Sequence, residues 1–293
     1  MRAFCLPWRR GCRQFAAPAL REAASRLREA VKGREATREI VREADRALDR
    51  SQVVARLRHE LRDLSETMEV RFRGEALVDR RTVSFQAPTA IEGSRRISLA
   101  LPNVEDVRQF LTEESKPSVP KADEMATILE KFLTEEFVGK APEHVAMLTA
   151  WGPKAIADSE GEFGEVAALM RLSLKAFQAT IESSKTDFQF ELARAGEGRD
   201  CLVMPPSNFA LLGLKDAFHM LLKGFRVLLL VQPRFYPHFR VLQESLSTCG
   251  LADGMLELLP GITPEADPEV LHEALRHVHR LQFTGSSAMC LRL

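Results

Sequence analysis

The sequence predicts an α/β protein: a parallel sheet with flanking helices, preceded by a helical N-terminal extension. Three features carry this. From Cys201 onward, short apolar runs alternate with amphipathic stretches across short connections, the pattern of strand–helix units in a parallel sheet with right-handed crossovers. Arg226–Val231 is a continuous run of valine and leucine, as expected of a strand covered on both faces. Residues 22–67 are dense in Arg, Glu, Ala and Leu with apolar positions three or four apart, which suits an amphipathic helix. The arrangement is Rossmann-like.

Residues 1–21 carry Arg2, Arg9, Arg10, Arg13 and Arg21 and no acid, among Phe4, Leu6, Trp8 and Phe15. Such a leader fits a transit peptide for the mitochondrion or another organelle; the alternative is a basic terminus on a cytoplasmic protein. In residues 22–67, Ile40, Ala44, Leu48, Val54, Leu57, Leu61 and Leu64 predict one helix, or two broken near Gly33 or Ser51. Interleaved charges suit a solvated face, so the helix is expected to lie on the domain that follows rather than form a coiled coil.

Val70–Val78 alternates around Gly74 as a hairpin does, and Val83, Phe85, Ile97, Leu99 and Leu101 suggest further short strands. Pro117 and Pro120 mark a loop over residues 115–122. Met125, Ile128, Leu129 and Phe132 make one apolar helix face, and Val166, Leu169, Met170, Leu174, Phe177 and Ile181 another. Trp151-Gly152-Pro153 reads as a turn between them and Asp158–Gly164 as a polar loop. In the final block the expected strands are Cys201–Met204, Arg226–Val231, Leu256–Leu259 and about Val278–Phe283. The helices between them run through Leu211–Leu222, through Val241–Leu246, and from Asp267-Pro268, with Asp267 as the expected N-cap and Gly224 and Gly250 as terminating residues.

Composition narrows the function classes. Lysine plus arginine equals aspartate plus glutamate at 41 each; setting aside the five leader arginines leaves 36 basic residues against 41 acidic. No basic field attracts nucleic acid. The longest compact apolar run is Val227–Val231, far short of a membrane span. The five cysteines are scattered with no CxxC pair, and Cys201 and Cys249, inside apolar runs, are expected to be reduced core residues.

Ligands of open parallel sheets bind beyond the carboxyl ends of the strands, which points to Pro205–Asn208, Gln232–Arg234 and Thr284–Ser287. Those segments also resemble the aldehyde dehydrogenase superfamily. Pro206-Ser207-Asn208-Phe209 is similar to its proline-x-asparagine-phenylalanine turn, and Leu230-Val231-Gln232-Pro233 to its strand ending in lysine-proline. Leu259-Pro260-Gly261 resembles its next proline-glycine, and Phe283-Thr284-Gly285-Ser286 its phenylalanine-threonine-glycine-serine motif. All four fall in the family's order. Upstream, Phe72–Asp79 is similar to the family's opening hairpin and Asn103–Val107 to the start of its first long helix, so the likeness spans residues 68–287.

The resemblance implies an oxidoreductase that oxidises an aldehyde to a carboxylic acid or acyl derivative with NAD or NADP. Asn208 would help stabilise the oxyanion after thiolate attack, an electrostatic role; its other reading is a turn residue bonding its own backbone. Pro206, Gln232, Pro233, Arg234, Gly285 and Ser286 would surround the cofactor, with Ser286 meeting the pyrophosphate at the start of a following helix or serving as its N-cap. Gln232 replaces the family's lysine and Phe235 stands where a glutamate is often found; a phenylalanine cannot hold a ribose hydroxyl. Arg234 is open to meeting a ribose phosphate, as in NADP, or to being a surface residue. Only seven residues follow Ser286, so Cys290 is misplaced for the family's nucleophile, residues 288–293 depart from its pattern, and the catalytic part is expected to lie outside this sequence. The alternative is an inactive nucleotide-binding or assembly domain. Because the family's sheet packs against that absent catalytic part, apolar surface on helices such as Phe209–Leu222 is expected to be left uncovered, with homo-oligomer formation as one outcome. His277 and His279 would alternate on a strand edge as solvated positions rather than a metal pair.

Overall fold

The computed structural model describes residues 49–62, 67–68, 70–72, 75–77, 80–86, 96–112, 117–152, 154–183, 196, 198–263 and 266–286. The arginine-rich leader, most of the helical extension before Asp49, and the tail with Cys290 lie outside the described residues.

The described chain opens with α1 (Arg50–Arg62), which follows Asp49, whose Oδ1 accepts the Ser51 N–H at 2.9 Å. Strands β1 (Thr67–Met68), β2 (Arg71–Phe72), β3 (Glu75–Ala76), β4 (Thr82–Gln86) and β5 (Arg96–Ala100) follow. β2 and β3 form the expected hairpin; β5 pairs antiparallel with β4 and parallel with β1. Helix α2 (Val104–Thr112) begins with a reciprocal cap. Asn103 Oδ1 accepts the Asp106 N–H at 2.9 Å and Asp106 Oδ2 accepts the Asn103 N–H at 2.8 Å.

Next come α3 (Ala122–Lys131), which widens to π-helical geometry over Phe132–Val138, then α4 (Ala141–Trp151) and α5 (Ile156–Ser183). Two expectations are corrected here. Trp151 ends a helix rather than forming a turn, and Asp158–Gly164 is helical rather than a polar loop. The buried row Ser159, Phe163, Val166, Met170, Leu174, Phe177 repeats every three or four residues through both glycines. Packing of that row overrides the weak propensity of Gly161 and Gly164.

The main sheet has four parallel strands, β6 (Asp200–Met204), β7 (Arg226–Val231), β8 (Leu256–Pro260) and β9 (Arg280–Phe283), in the order β8-β7-β6-β9. Between them lie α6 (Leu211–Leu222), a 3-10 turn (Pro233–Phe235) leading into α7 (Tyr236–Thr248), and α8 (Pro268–His277). Side chains alternate across the pleat. Cys201, Val203, Val227, Leu229, Val231 and Leu258 face one core, shared with α3 to α7. Leu202, Met204, Leu228, Leu230 and Leu259 face a second, closed by α2 and α8 through Phe110, Leu111, Val270 and Leu271. Over β6, β7 and β8 both faces are therefore covered, as the unbroken apolar runs require, whereas β9 at the edge is partly exposed; Cys201 and Cys249 are buried free thiols.

Three further corrections follow. His277 is the last residue of α8, bonded to Glu273 at 3.2 Å, and His279 precedes β9, its Nδ1 accepting the Asp200 N–H at 3.2 Å. They are not partners on a strand, because α8's apolar row Val270, Leu271, Ala274 carries the helix to His277, and pairing with β6 begins only at Cys201↔Arg280. Among the described residues no cluster suits a metal ion. Asp267 precedes Pro268 as expected, but its carboxylate is ion-paired with Arg81 instead of capping α8. The apolar side of α6 is not left uncovered: Leu211, Leu214, Phe218, Leu221 and Leu222 are buried within this chain. No helix among the described residues is long and apolar enough to cross a membrane.

Candidate functional site

Register places the site. In the parallel ladders Met204 stands opposite Phe283, Val203 opposite Leu229 and Val231 opposite Pro260, so the four strands end within a residue of one another at one edge of the sheet. The loops that leave them enclose a cleft of about 490 Å³, within the range of roughly 300–1,000 Å³ usual for small-molecule sites. Six of the seven residues singled out from the sequence line it: Pro206, Asn208, Gln232, Pro233, Gly285 and Ser286. Arg234 does not; it sits at the rim.

Sequence reasoning missed the fourth wall, Gly261-Ile262-Thr263 after β8. The signal was present in Pro260-Gly261, since a glycine that ends a strand is a turn. Gly261 has φ +70°, and a Cβ there would come within 2.9 Å of Leu101 Cδ2 and 3.3 Å of Pro233 Cγ. Only glycine keeps this loop against its neighbours.

The floor is apolar, with Met204, Leu230, Phe239 and Phe283, and polar groups ring the mouth: the Asn208 and Gln232 amides and the hydroxyls of Ser207, Thr263, Thr284 and Ser286. No charged side chain lines the cleft. Gln232 is oriented at both ends. Its Nε2 donates to the Ser207 carbonyl at 2.6 Å, and its Oε1 accepts from Arg234 Nε at 3.1 Å. Arg234 also donates to the Ser207 carbonyl at 3.5 Å and lies 4.9 Å from the centroid of the Phe235 ring. This latch ties the loop after β7 to the loop after β6. Phe235 itself is 2% exposed and forms part of the cleft's apolar lining, where its ring can hold no ribose hydroxyl.

The Asn208 turn is supported from behind. Helix α6 has no side-chain cap of its own; the Leu211 N–H donates instead to Glu162 Oε1 on α5, at 2.7 Å. Glu162 is 2% exposed and ion-paired with Lys154, whose ammonium lies 5.1 Å from the centroid of the Phe209 ring. The loop after β9 is held in the same manner. Thr284 Oγ1 donates to the buried Asp216 carboxylate on α6 at 2.9 Å, and the Thr284 N–H donates to the Met204 carbonyl at 3.0 Å. Close packing of α6 onto the first loop rests on Gly213, where a Cβ would meet the Pro205 ring at 2.9 Å and Leu229 Cδ1 at 3.1 Å.

No family model and no curated protein matches the sequence. Solved structures do match the fold. Proline utilization A from Bdellovibrio bacteriovorus, inactivated by N-propargylglycine, is 16% identical with a TM-score of 0.65, over 83% of this chain and 26% of that one. The Δ-pyrroline-5-carboxylate dehydrogenase from Mycobacterium tuberculosis, bound with NAD, is 17% identical with a TM-score of 0.65, over 82% of this chain and 46% of that one. Succinate-semialdehyde dehydrogenase from Burkholderia pseudomallei is 16% identical with a TM-score of 0.61, over 76% of this chain and 47% of that one. The chain thus spans about half or less of these proteins, and over that span it has the fold of aldehyde dehydrogenase structures.

Proposed function

We propose that the cleft at the sheet edge binds a nicotinamide dinucleotide, and that this chain is the cofactor-binding part of an oxidoreductase acting on an aldehyde. The observation that carries the reading is the convergence of Asn208, Gln232 and Ser286, distant in sequence, on one cleft beyond the strand ends. An M. tuberculosis dehydrogenase of the same fold is a structure with NAD bound.

The lining fits such a ligand. Apolar walls receive the flat rings, while amides and hydroxyls at the mouth suit ribose and phosphate oxygens. Pro206, Gln232 and Pro233 would flank one end of the dinucleotide, and Gly285 and Ser286 the pyrophosphate. Asn208 would present its amide to an oxygen that gains negative charge. The cofactor, when bound, supplies hydride acceptance; the chain's own residues orient it.

The lack of any carboxylate on the lining, with Arg234 at the rim, favours the phosphorylated ribose of NADP over the free diol of NAD. Titration of residues 1–293 with NADPH and with NADH, followed by nicotinamide fluorescence, tests both points. Saturable binding with NADPH the tighter is expected; absence of binding to either would sink the proposal. The second reading is a domain that serves assembly rather than turnover. The latch of Gln232 and Arg234 onto the Ser207 carbonyl favours it, because both ends of the glutamine amide are already engaged. On either reading residues 1–293 by themselves are expected to turn over no aldehyde.

A further inference from the structure

We infer that Glu162, paired with Lys154, is a positioning residue that fixes the Asn208 turn in the form that receives ligand; the inference rests on the dinucleotide reading of the cleft. Four observations combine. The turn from β6 to α6 passes through Pro205, Pro206, Ser207, Asn208 and Phe209, and Asn208 lines the cleft. The first turn of α6 carries no local cap: its N-cap residue is Ala210, whose side chain can accept no hydrogen bond. The missing acceptor comes from 49 residues away in sequence, as Glu162 Oε1 on the Leu211 N–H. The carboxylate is buried and its charge is met by Lys154, which also covers the Phe209 ring, so the residue after Asn208 and the third one after it are gripped by the same pair.

Several consequences follow from this geometry. A carboxylate at a helix N-terminus is favoured by the helix dipole as well as by the hydrogen bond. Glu162 also fills the place where α6 would otherwise hold an anion, so α6 is not the phosphate-binding helix of this cleft. Its work is on the protein side. It holds α6 and α5 together directly behind the turn and so sets where the Asn208 amide stands relative to Gln232 and Ser286.

The test uses residues 1–293 and three variants: Glu162→Ala, which removes the acceptor; Glu162→Gln, which keeps it; and Lys154→Met/Glu162→Met, which replaces the pair by apolar chains of similar length and carries the comparison if Glu162→Ala does not fold. Amide hydrogen exchange is read over residues 205–214 and, as internal reference, over β7. Loss of the acceptor is expected to speed exchange in 205–214 by about tenfold and leave β7 unchanged, with Glu162→Gln close to the parent. In the same samples the affinity for NADPH is expected to fall about tenfold in Glu162→Ala and to be largely rescued in Glu162→Gln. Uniform acceleration across the chain, no acceleration at all, or a loosened turn with unchanged affinity would each overturn the inference. If the parent protein binds no dinucleotide, the cofactor reading falls, and the exchange comparison alone judges Glu162.

Discussion

Acid should unfold this protein earlier than its carboxylates alone would dictate, because two neutral histidines are built into the core. His144 on α4 and His238 on α7 are 2% and 0% exposed, with His144 Nδ1 and His238 Nε2 3.0 Å apart. The His144 Nε2–H faces the Glu136 carbonyl at 3.0 Å, and a carbonyl only accepts. His144 Nδ1 must therefore accept from the His238 Nε2–H, which leaves His238 Nδ1 a buried acceptor with no partner. Both rings are neutral in this arrangement, and His144 stacks on Phe137. Burial, with some help from Lys140, pushes His144 down to about 4, and burial beside His144 holds His238 well below the usual imidazole range. A folded-state pKa below the unfolded one means that the unfolded chain binds more protons in between, so stability is intact above about pH 6.5 and falls as pH drops toward 4. At pH 5 the His144 shift alone costs about 2 kcal/mol, a large part of a typical folding free energy, and His238 acts in the same direction. Urea unfolding at pH 7.5 and pH 5.0 should show a midpoint lower by roughly 1 M at the acid pH. In the variant His144→Phe/His238→Leu that difference should shrink markedly, leaving the share of His219 on α6, which burial also pushes down to about 4. A midpoint unchanged between the two pH values, or an equal loss in the double variant, would refute the reasoning.

Other outcomes follow from the same contacts. Gly213→Ala, which in an open helix would gain stability, should lose about 1–3 kcal/mol by thermal unfolding, because its Cβ meets the rigid Pro205 ring. Arg226→Met should cost about 3–5 kcal/mol, since Arg226 is bonded to the buried Asp200 at 2.5 Å and to the Phe110 carbonyl, and its loss removes the cation that faces a buried carboxylate; chemical denaturation would measure it. Leu202→Ala, on an inner strand with both neighbours paired, should cost about 2–5 kcal/mol in the same assay. Arg234→Ala should weaken NADPH binding by several-fold and leave NADH nearly unaffected in parallel fluorescence titrations; an equal loss for both would remove Arg234 from phosphate recognition.

The sheet was legible because β6, β7 and β8 are buried on both faces and so spell largely apolar runs. Arg226–Val231 forms its strand at the predicted boundaries, and Gly224 and Gly250, with φ +79° and +108°, end α6 and α7 where the sequence places them. Errors gathered where polarity and burial part company. Asp158–Gly164 looks like a loop on composition, yet it extends the buried face of α5 by two turns. His277 and His279 look alternating only until the apolar row of α8 is seen to run on to His277. A fourth cleft wall escaped notice because Gly261-Ile262-Thr263 carries no side chain that announces chemistry.

Loop residues at the cleft were readable for a topological reason. In a parallel sheet every strand points the same way, so residues after each strand must gather at one edge whatever their spacing in sequence. The support behind them obeys no such rule. Glu162 and Asp216 are acidic residues on helices, and acidic residues on helices ordinarily mark the solvated side. Their burial becomes evident only when the helix phase is known: Ser159, Glu162 and Val166 then fall on one row of α5, facing α6. A carboxylate on an otherwise apolar row must be paired or hydrogen-bonded, since an isolated buried charge is costly. Asking which donors could meet it leads, for Glu162, to Lys154 and the uncapped start of α6. The residues that hold this site in shape are therefore found by following misplaced charge, not by following the loops.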